Sequence, residues 1–170
     1  LMLRHGFDAV ERDGTLRFVM RDGRADADLG EAELAVTDEI EGRIEETRAG
    51  QAEMAGRVRL RFVQADAEFA VVAEEAVMPD EASHGVATSE MALAMTRGEG
   101  RQVLERWLTE ARVARDTVRL ALPPSRRDLG AGDVLRLPVA DGAGLFRVDR
   151  VEQAAHQVVE AVRIEPETYR

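Results

Sequence analysis

The chain has 170 residues and a formal net charge of −10, and 45% of its residues are hydrophobic. This length and composition fit one domain or two small ones with a real hydrophobic core, and they exclude a wholly disordered chain. The negative charge argues against conventional nucleic-acid binding, and apolar runs far shorter than the roughly 20 residues of a transmembrane helix predict no membrane insertion.

The negative charge is concentrated in the first half of the chain. Residues 1–85 hold 20 acidic residues and 10 arginines, whereas residues 86–170 hold 13 of each. Most of the excess lies between Asp22 and Glu81. A solvated acidic face is the ordinary explanation for such a cluster, and a surface that repels phosphate or meets a basic partner is the alternative.

The N-terminal segment FDAVERDGTLRFVM predicts a β-hairpin, because two apolar-rich runs flank Asp13-Gly14. Asp-Gly is a favoured pair in the tight turns that match strand twist. The next part, residues 31–56, is rich in Glu, Ala and Arg but is interrupted by Gly42 and Gly50. For this part we predict extended segments with one helical turn.

A strict alternation marks RVRLRF, residues 57–62, as a strand. Val58, Leu60 and Phe62 fall on one face, which we expect to be buried, and three arginines fall on the other. The run AEFAVVAEEAVMP follows a short acidic loop, and we predict that it supplies the partner strand.

Residues 100–116, GRQVLERWLTEARVARD, are the principal predicted helix. Its apolar residues recur at helical spacing, and two Arg–Glu pairs stand four positions apart on the polar flank. The apolar stripe consists of Val103, Leu104, Trp107, Leu108 and Ala111. We expect Leu104, Trp107 and Leu108 to be buried.

Four strand-like runs follow the helix: TVRLAL, DVLRLP, GLFRVDRV and HQVVEAVRIEP. A turn is predicted at Asp141-Gly142, and Val118 and Leu120 of the first run should be buried. The order of these runs predicts a helix followed by a four-strand meander.

The stretch LPPSRRDLGAGDVLRLP, residues 122–138, contains a Gly-x-Gly that could be mistaken for a phosphate-binding loop. A loop of that kind must follow a strand and open a helix, so that backbone amides face the phosphate. Here Gly130 and Gly132 lead into a strand, and no Lys-Ser/Thr pair completes the motif. We therefore predict a turn.

No residue in the sequence can be assigned to catalysis, to cofactor binding or to metal binding. The chain has no cysteine, and His5, His84 and His156 share no ligand spacing. The run DADLGEAE resembles a calcium loop, but Thr37 stands where the bidentate Glu is needed. The 33 acidic residues leave a glycosidase-type carboxylate pair open, although nothing singles one out. We predict a protein that is not an enzyme and has no cofactor.

The order of motifs in the C-terminal two thirds resembles the tail-hub region of phage tail proteins, most of all the large tail-tip (host-specificity) protein of gene transfer agents. The likeness runs over about residues 57–169, through RVRLRFVQADAEF, the helix, LGAGDVLRL, FRVDRVE and VVEAVRIEPETY. FDAVERDGTLRFVMRDG carries it more weakly. The chain departs from the family pattern at Gly56, at Ala131 and at Glu68-Phe69, and these changes are conservative in turn chemistry.

The resemblance implies a β-rich α+β fold of the phage tail-hub type. Its domains would be small and β-barrel-like, or curved antiparallel sheets, with one main helix. We expect residues 1–56, the hairpin and the acidic segment, to belong to a preceding or interleaved hub domain. Residues 57–170 would form a β-rich hub domain with the helix. The chain would then be a fragment of a longer protein.

The resemblance also implies a structural role in the baseplate hub, a trimeric ring at the tail tip through which DNA is delivered. The implied partners are further copies of the chain, the tail tube and other tail-tip proteins. Its location would be the tail of a virion or gene transfer agent particle assembled in the bacterial cytoplasm. The acids of 22–81 would line or flank the channel, because carboxylates that face phosphate keep DNA from binding.

Two other functions stay open on the sequence. One is a carboxylate-dependent cell-wall hydrolase, for which a cleft with two facing carboxylates would be the sign. The other is a small carbohydrate-binding or adaptor module, which would need a surface groove lined by exposed aromatic residues.

Overall fold

The computed structural model describes residues 1–50, 54–78, 85–153 and 155–169. The chain forms two compact units: Leu1–Arg48 joins Val113–Arg170 in the first, and Ala49–Arg112 is the second. The domain boundary predicted at residues 56 and 57 falls inside a strand of the second unit, and that division into hub domains stays a prediction.

The elements follow one another as α1 (Met2–His5), β1 (Phe7–Arg12), β2 (Thr15–Met20), β3 (Ala27–Asp28), β4 (Ile44–Arg48), β5 (Ala55–Gln64), β6 (Val71–Val77), β7 (Gly85–Met95), α2 (Arg97–Val113), β8 (Asp116–Leu122), β9 (Val134–Val139), β10 (Gly142–Gln153) and β11 (Gln157–Ile164). Short 3-10 helices lie at Glu31–Glu33, Pro124–Arg126 and Pro166–Tyr169. No helix in the described part of the chain is long and apolar enough to span a membrane.

The predicted N-terminal hairpin is confirmed. Strands β1 and β2 pair antiparallel, with Arg12 opposite Thr15 at the turn. Asp13 and Gly14 have φ of 54° and 71°, the left-handed conformation that a two-residue turn of this kind requires. In the part predicted as extended with one helical turn, β4 and the 3-10 turn Glu31–Glu33 appear, and residues 51–53 lie outside the described residues.

The first unit contains a six-stranded mixed sheet in the order β3-β9-β10-β11-β8-β4. The predicted four-strand meander is wrong in one respect, because β8 pairs with β11 and not with β9. This arrangement is a Greek key, in which the long connection from β8 to β9 crosses to the other side of β11 and β10. Alternating apolar residues identify strands, but they do not determine which strands are neighbours.

The six-stranded sheet is curved and open. Its edge strands among the described residues are β3 and β4, so no closed barrel is formed by that part of the chain. A β-bulge between Val148 and Arg150 bends β10. Of the two predicted forms, the curved sheet is therefore the one observed. Val118 and Leu120 are 3% and 0% exposed, as expected. The core around them also includes Leu122, Leu135, Leu137, Phe146 and Val148.

The second unit is a three-stranded sheet, in the order β6-β5-β7, with helix α2. The predicted pairing of β5 with β6 is confirmed, and Val58, Leu60 and Phe62 are buried. Pro79, at the end of the run predicted to form β6, lies outside the described residues. Strand β7 pairs in parallel with β5 and was not predicted, because its small and polar residues give only a weak alternating pattern.

Helix α2 begins and ends three residues before its predicted bounds, at Arg97 and Val113. A capping box sets its start: the amide of Glu99 donates to the Thr96 hydroxyl, and the Glu99 carboxylate accepts from the Thr96 amide at 2.7 Å. The helix cannot continue to residue 116, since Asp116 opens β8.

Burial in α2 is concentrated in its first half, at Gly100, Val103 and Leu104. Leu104 is buried as predicted, but the prediction for Trp107 and Leu108 is wrong, because both are half-buried. An apolar stripe tells which side of a helix turns inward. It does not tell how many turns of the helix are covered by other residues.

Candidate interaction surface

The loop between β8 and β9 contacts one face of the β1–β2 hairpin, the face that carries Val10 and Val19. Gly132 has a φ of 89°, as expected of a turn residue. A Cβ at Gly132 would lie 3.2 Å from Val10 Cγ1 and 3.7 Å from Val19 Cγ2. The predicted turn is confirmed, and its glycine also lets the backbone approach the two valines closely.

Arg12 joins the same face to the loop. Its guanidinium donates to the Asp133 carboxylate at 2.7 Å and to the carbonyl oxygen of Asp128. The second Asp133 oxygen accepts from the Gly130 amide at 2.9 Å. Asp133 accepts hydrogen bonds from both the hairpin, through Arg12, and the loop backbone. It therefore determines how the hairpin is placed against the loop before β9.

A second ionic contact lies at the base of the hairpin. Asp8 accepts from Arg21 at 2.6 and 2.9 Å, and Arg147 of β10 approaches it to 3.4 Å. Burial opposes ionisation of Asp8, but the hydrogen bond from Arg21 and the charge of Arg147 outweigh it and lower the pKa of Asp8. The ionised carboxylate thus stabilises the hairpin on β10.

The opposite face of the hairpin, which we call the outer face, is apolar and exposed. It is formed by Phe7, Ala9, Leu16, Phe18 and Met20, and the one charged residue on it is Glu11, opposite Leu16 at the end near the turn. Leu16, Phe18 and Met20 are 59%, 68% and 62% exposed. The Phe7 and Phe18 rings meet edge to face with centroids 5.6 Å apart. Contiguous exposed apolar side chains of this kind mark a site of interaction with another molecule.

The open face of the β6-β5-β7 sheet is a second exposed surface, and it is mostly charged. Glu75 of β6 bridges Arg57 and Arg59 at 3.1 and 2.8 Å, and Glu90 of β7 lies 3.4 Å from Arg61. Exposed valines flank this ladder of ion pairs, at Val71, Val77 and Val86. The three arginines of β5 are therefore paired with carboxylates.

The acids of residues 22–81 are divided between the two units, and those before Arg48 belong to the first unit. Asp38, Glu39 and Glu41 are exposed, whereas Asp28 pairs with Arg136 at 2.6 Å. Within the acidic range, Glu53, Asp80 and Glu81 lie outside the described residues. The idea that these acids line a channel stays a prediction.

The structure brings no histidines together in its described part. His5 is exposed, His156 is half-buried, and His84 lies outside the described residues. Among the residues described, no group of three or more His, Cys, Asp or Glu could hold a metal ion.

A cleft of about 540 Å³ lies beside the hairpin, and it is lined by side chains of both charges, including Arg12, Arg127, Asp128 and Asp149. None of these observations assigns a residue to catalysis. The outer face is the feature that sequence reasoning missed, because alternating apolar residues in β2 would ordinarily predict a buried face.

Comparison with known proteins identifies what the chain is similar to. Residues 1–151 match the family described as "Putative phage tail protein". No curated protein matches the sequence. A chain in the virion of a native gene transfer agent particle is 55% identical with a TM-score of 0.92, over 99% of this chain and 38% of that chain. This chain therefore spans well under half of that relative.

Two more distant structures show the same fold. A tail protein from Neisseria meningitidis MC58 has 15% identity and a TM-score of 0.58, over 98% of this chain and 53% of that chain. The 43 kDa tail protein of prophage MuSo2 from Shewanella oneidensis has 6% identity and a TM-score of 0.52, over 99% of this chain and 51% of that chain.

Proposed function

Since the chain belongs to a family of phage tail proteins, we propose that it is a structural segment of a tail-tip baseplate hub. The observation that carries the proposal is the 55% identity, at a TM-score of 0.92, to a chain of a gene transfer agent virion. The protein would lie in the tail of a virion or gene transfer agent particle assembled in the bacterial cytoplasm.

In this function the chain joins further copies of itself in a ring, most simply of three, between the tail tube and other tail-tip proteins. The exposed outer face of the hairpin supports the idea, because an exposed cluster of large apolar side chains is often a binding surface. The ring is a conduit for DNA and performs no chemistry.

The acidic surface supports passage of DNA without binding. Carboxylates such as Asp38, Glu39 and Glu41 repel phosphate, whereas a positive wall would hold the duplex through counterion release. A channel lined by these residues would let DNA slide through the ring.

Location in the particle is tested by antibody labelling of purified particles that contain the full-length protein. Label at the tip of the tail, and not on the capsid, is the expected result. Mass spectrometry of the same particles should detect peptides of this chain in constant ratio to the tail-tube protein. Label confined to the capsid would contradict the proposal.

The conduit role is tested by a gel-shift assay with duplex DNA at low salt. The wild-type chain should not retard the duplex, and the variant with Asp38→Asn, Glu39→Gln and Glu41→Gln should bind it more strongly. Tight binding of DNA by the wild-type chain would refute the idea that these acids line a channel through which DNA passes without binding. The control is a variant in which three exposed acids outside residues 22–81 are neutralised, with Asp141→Asn, Asp149→Asn and Glu152→Gln.

A further inference from the structure

Strand β2 has an open edge, and its backbone geometry tells which residues face it. Among the described residues, β1 is the only strand that is hydrogen-bonded to β2. The Arg21 amide donates to the Gly6 carbonyl at 2.8 Å, so the bonded pairs recur every second residue from there. The amides and carbonyls of Leu16, Phe18 and Met20 therefore point away from β1. The residues with exposed apolar side chains are also those with outward-facing backbone groups.

Strand β6 has an open edge of the same kind. Two backbone hydrogen bonds lie at the ends of its pairing with β5. The Met78 amide donates to the Gly56 carbonyl at 2.8 Å, and the Gln64 amide donates to the Ala70 carbonyl at 2.9 Å. By the same alternation, the backbone groups of Val71, Ala73, Glu75 and Val77 point away from β5. Their side chains lie on the exposed face, where Val71 and Val77 are 57% and 53% exposed.

We propose that the β2 edge of one copy pairs with the β6 edge of a second copy, as the contact between neighbours in the ring. The inference rests on the proposed ring. A cyclic ring is built from heterologous contacts, in which two different surfaces of the same chain meet. Strand addition at an open edge supplies backbone hydrogen bonds, and the alternate side chains supply specificity.

The two edges match in side-chain chemistry. In a paired sheet, Leu16, Phe18 and Met20 would lie on the same face as the exposed side chains of β6. That row contains one charged residue, Glu75, whose carboxylate is already paired with Arg57 and Arg59. No like charges are thus placed opposite one another.

The other open edges described match less well. Strand β1 has the charged Glu11 in its outward-facing row, β4 carries exposed charge at Glu46 and Arg48, and β3 has only two residues. Strand β7 presents Thr88 and Glu90 in the middle of its exposed face. Only β6 among these places two exposed valines and an alanine in one row.

The size of the contact predicts weak association outside the ring. The three apolar side chains of β2 expose roughly 300–400 Å², the size of an ordinary surface patch. A stable complex buries about 800 Å² on each partner. A single contact would therefore form only at high protein concentration, and ring closure would strengthen it.

Cysteine cross-linking tests the pairing directly, because the chain has no cysteine of its own. Phe18→Cys and Ala73→Cys proteins are mixed at high concentration and oxidised mildly. A disulfide needs Cα atoms about 4.4–6.8 Å apart, a distance that residues directly opposite one another on paired strands provide. Leu16→Cys and Met20→Cys, each mixed with Val71→Cys or Val77→Cys, cover the other registers. The control partner is Val36→Cys, which is 65% exposed and lies on neither strand.

We expect at least one β2–β6 pair to give about tenfold more heterodimer than any pair with Val36→Cys. Equal yields, or a predominance of Phe18→Cys homodimers, would overturn the inference. Sedimentation gives a measurement without cross-linking: Phe18→Asp should weaken self-association about tenfold or more, and Val36→Asp should not. Equal effects of these two variants would also overturn it.

These results separate the inference from the proposed function. Particles labelled at the tail tip, together with no β2–β6 cross-link, would mean that the function stands and the pairing is wrong. Absence of the chain from tail tips would instead remove the function on which the pairing rests.

Discussion

Arg12 and Asp133 are 121 positions apart in the sequence, yet their side chains form an ion pair with 2.7 Å between Nη1 and Oδ1. The two side chains are only 23% and 17% exposed. The pair ties the hairpin to the loop before β9, so the orientation of the outer face depends on it.

Replacement of Asp133 should lower the free energy of unfolding more than replacement of an aspartate in an equally short ion pair at the surface. Asp133→Ala removes the charged acceptor of Arg12 and the acceptor of the Gly130 amide, and we expect a loss of about 1–3 kcal/mol in the free energy of unfolding. Asp28→Ala is the control, since its pair with Arg136 is 2.6 Å long but exposed, and it should cost less than about 1 kcal/mol. Urea unfolding followed by circular dichroism measures both, and similar losses would contradict the assignment.

A methyl group at Gly100 should destabilise the second unit. A Cβ there would lie 2.6 Å from the Phe62 ring, so helix α2 or Phe62 must move. We expect Gly100→Ala to cost about 1–3 kcal/mol, in spite of the better helix propensity of alanine. The matched control is Gly98→Ala, whose nearest neighbour, Thr96 Oγ1, is 3.9 Å away. Thermal unfolding should show the control unchanged or more stable, and a stabilised Gly100→Ala protein would refute the close packing.

Alanine substitutions at two glycines with positive φ should separate the cost of an unfavourable backbone conformation from the cost of a steric clash. Gly132 and Gly42 have φ of 89° and 78°, but only Gly132 has neighbours within reach of a new Cβ. Gly42→Ala should cost about 1 kcal/mol for its backbone conformation alone. Gly132→Ala should cost more, because it also pushes on Val10. Chemical denaturation tests the order of the two losses, and the reverse order would show that the loop does not support the hairpin.

The stabilising effect of Asp8 should disappear in acid. Its pKa in the folded protein is lowered from an ordinary value of 3.8, so the ionised carboxylate stabilises the fold above that pH. This stability is lost as the pH falls through 3.8 towards and below the lowered pKa. The difference in unfolding free energy between the wild-type protein and Asp8→Asn should be constant at neutral pH and shrink over that range. Asp13→Asn, at an 87% exposed carboxylate, is the control. A difference that grows in acid would contradict the assignment.

Local physical chemistry made several features predictable from sequence. Asp13-Gly14 specified its hairpin, because few residue pairs adopt positive φ at both positions. The alternation of 57–62 determined which residues of β5 are buried, since a strand has two faces and apolar side chains favour the inner one. The start of α2 was also encoded locally, in Thr96 and Glu99, although the apolar stripe alone placed it three residues too late.

Long-range packing decided what the sequence left open. The pairing of β8 with β11 depends on where a long connection crosses, and no local pattern records that path. Half-burial of Trp107 depends on which turns of α2 the rest of the protein covers, and an apolar stripe does not record that. Exposure of Phe18 was decided in the same way: Leu16, Phe18 and Met20 form the more apolar face of β2, yet the contacts of Arg12 and Val10 with a distant loop turn the other face inward. Side-chain alternation divides a strand into two faces, and only its tertiary partners determine which of them remains free to bind another chain.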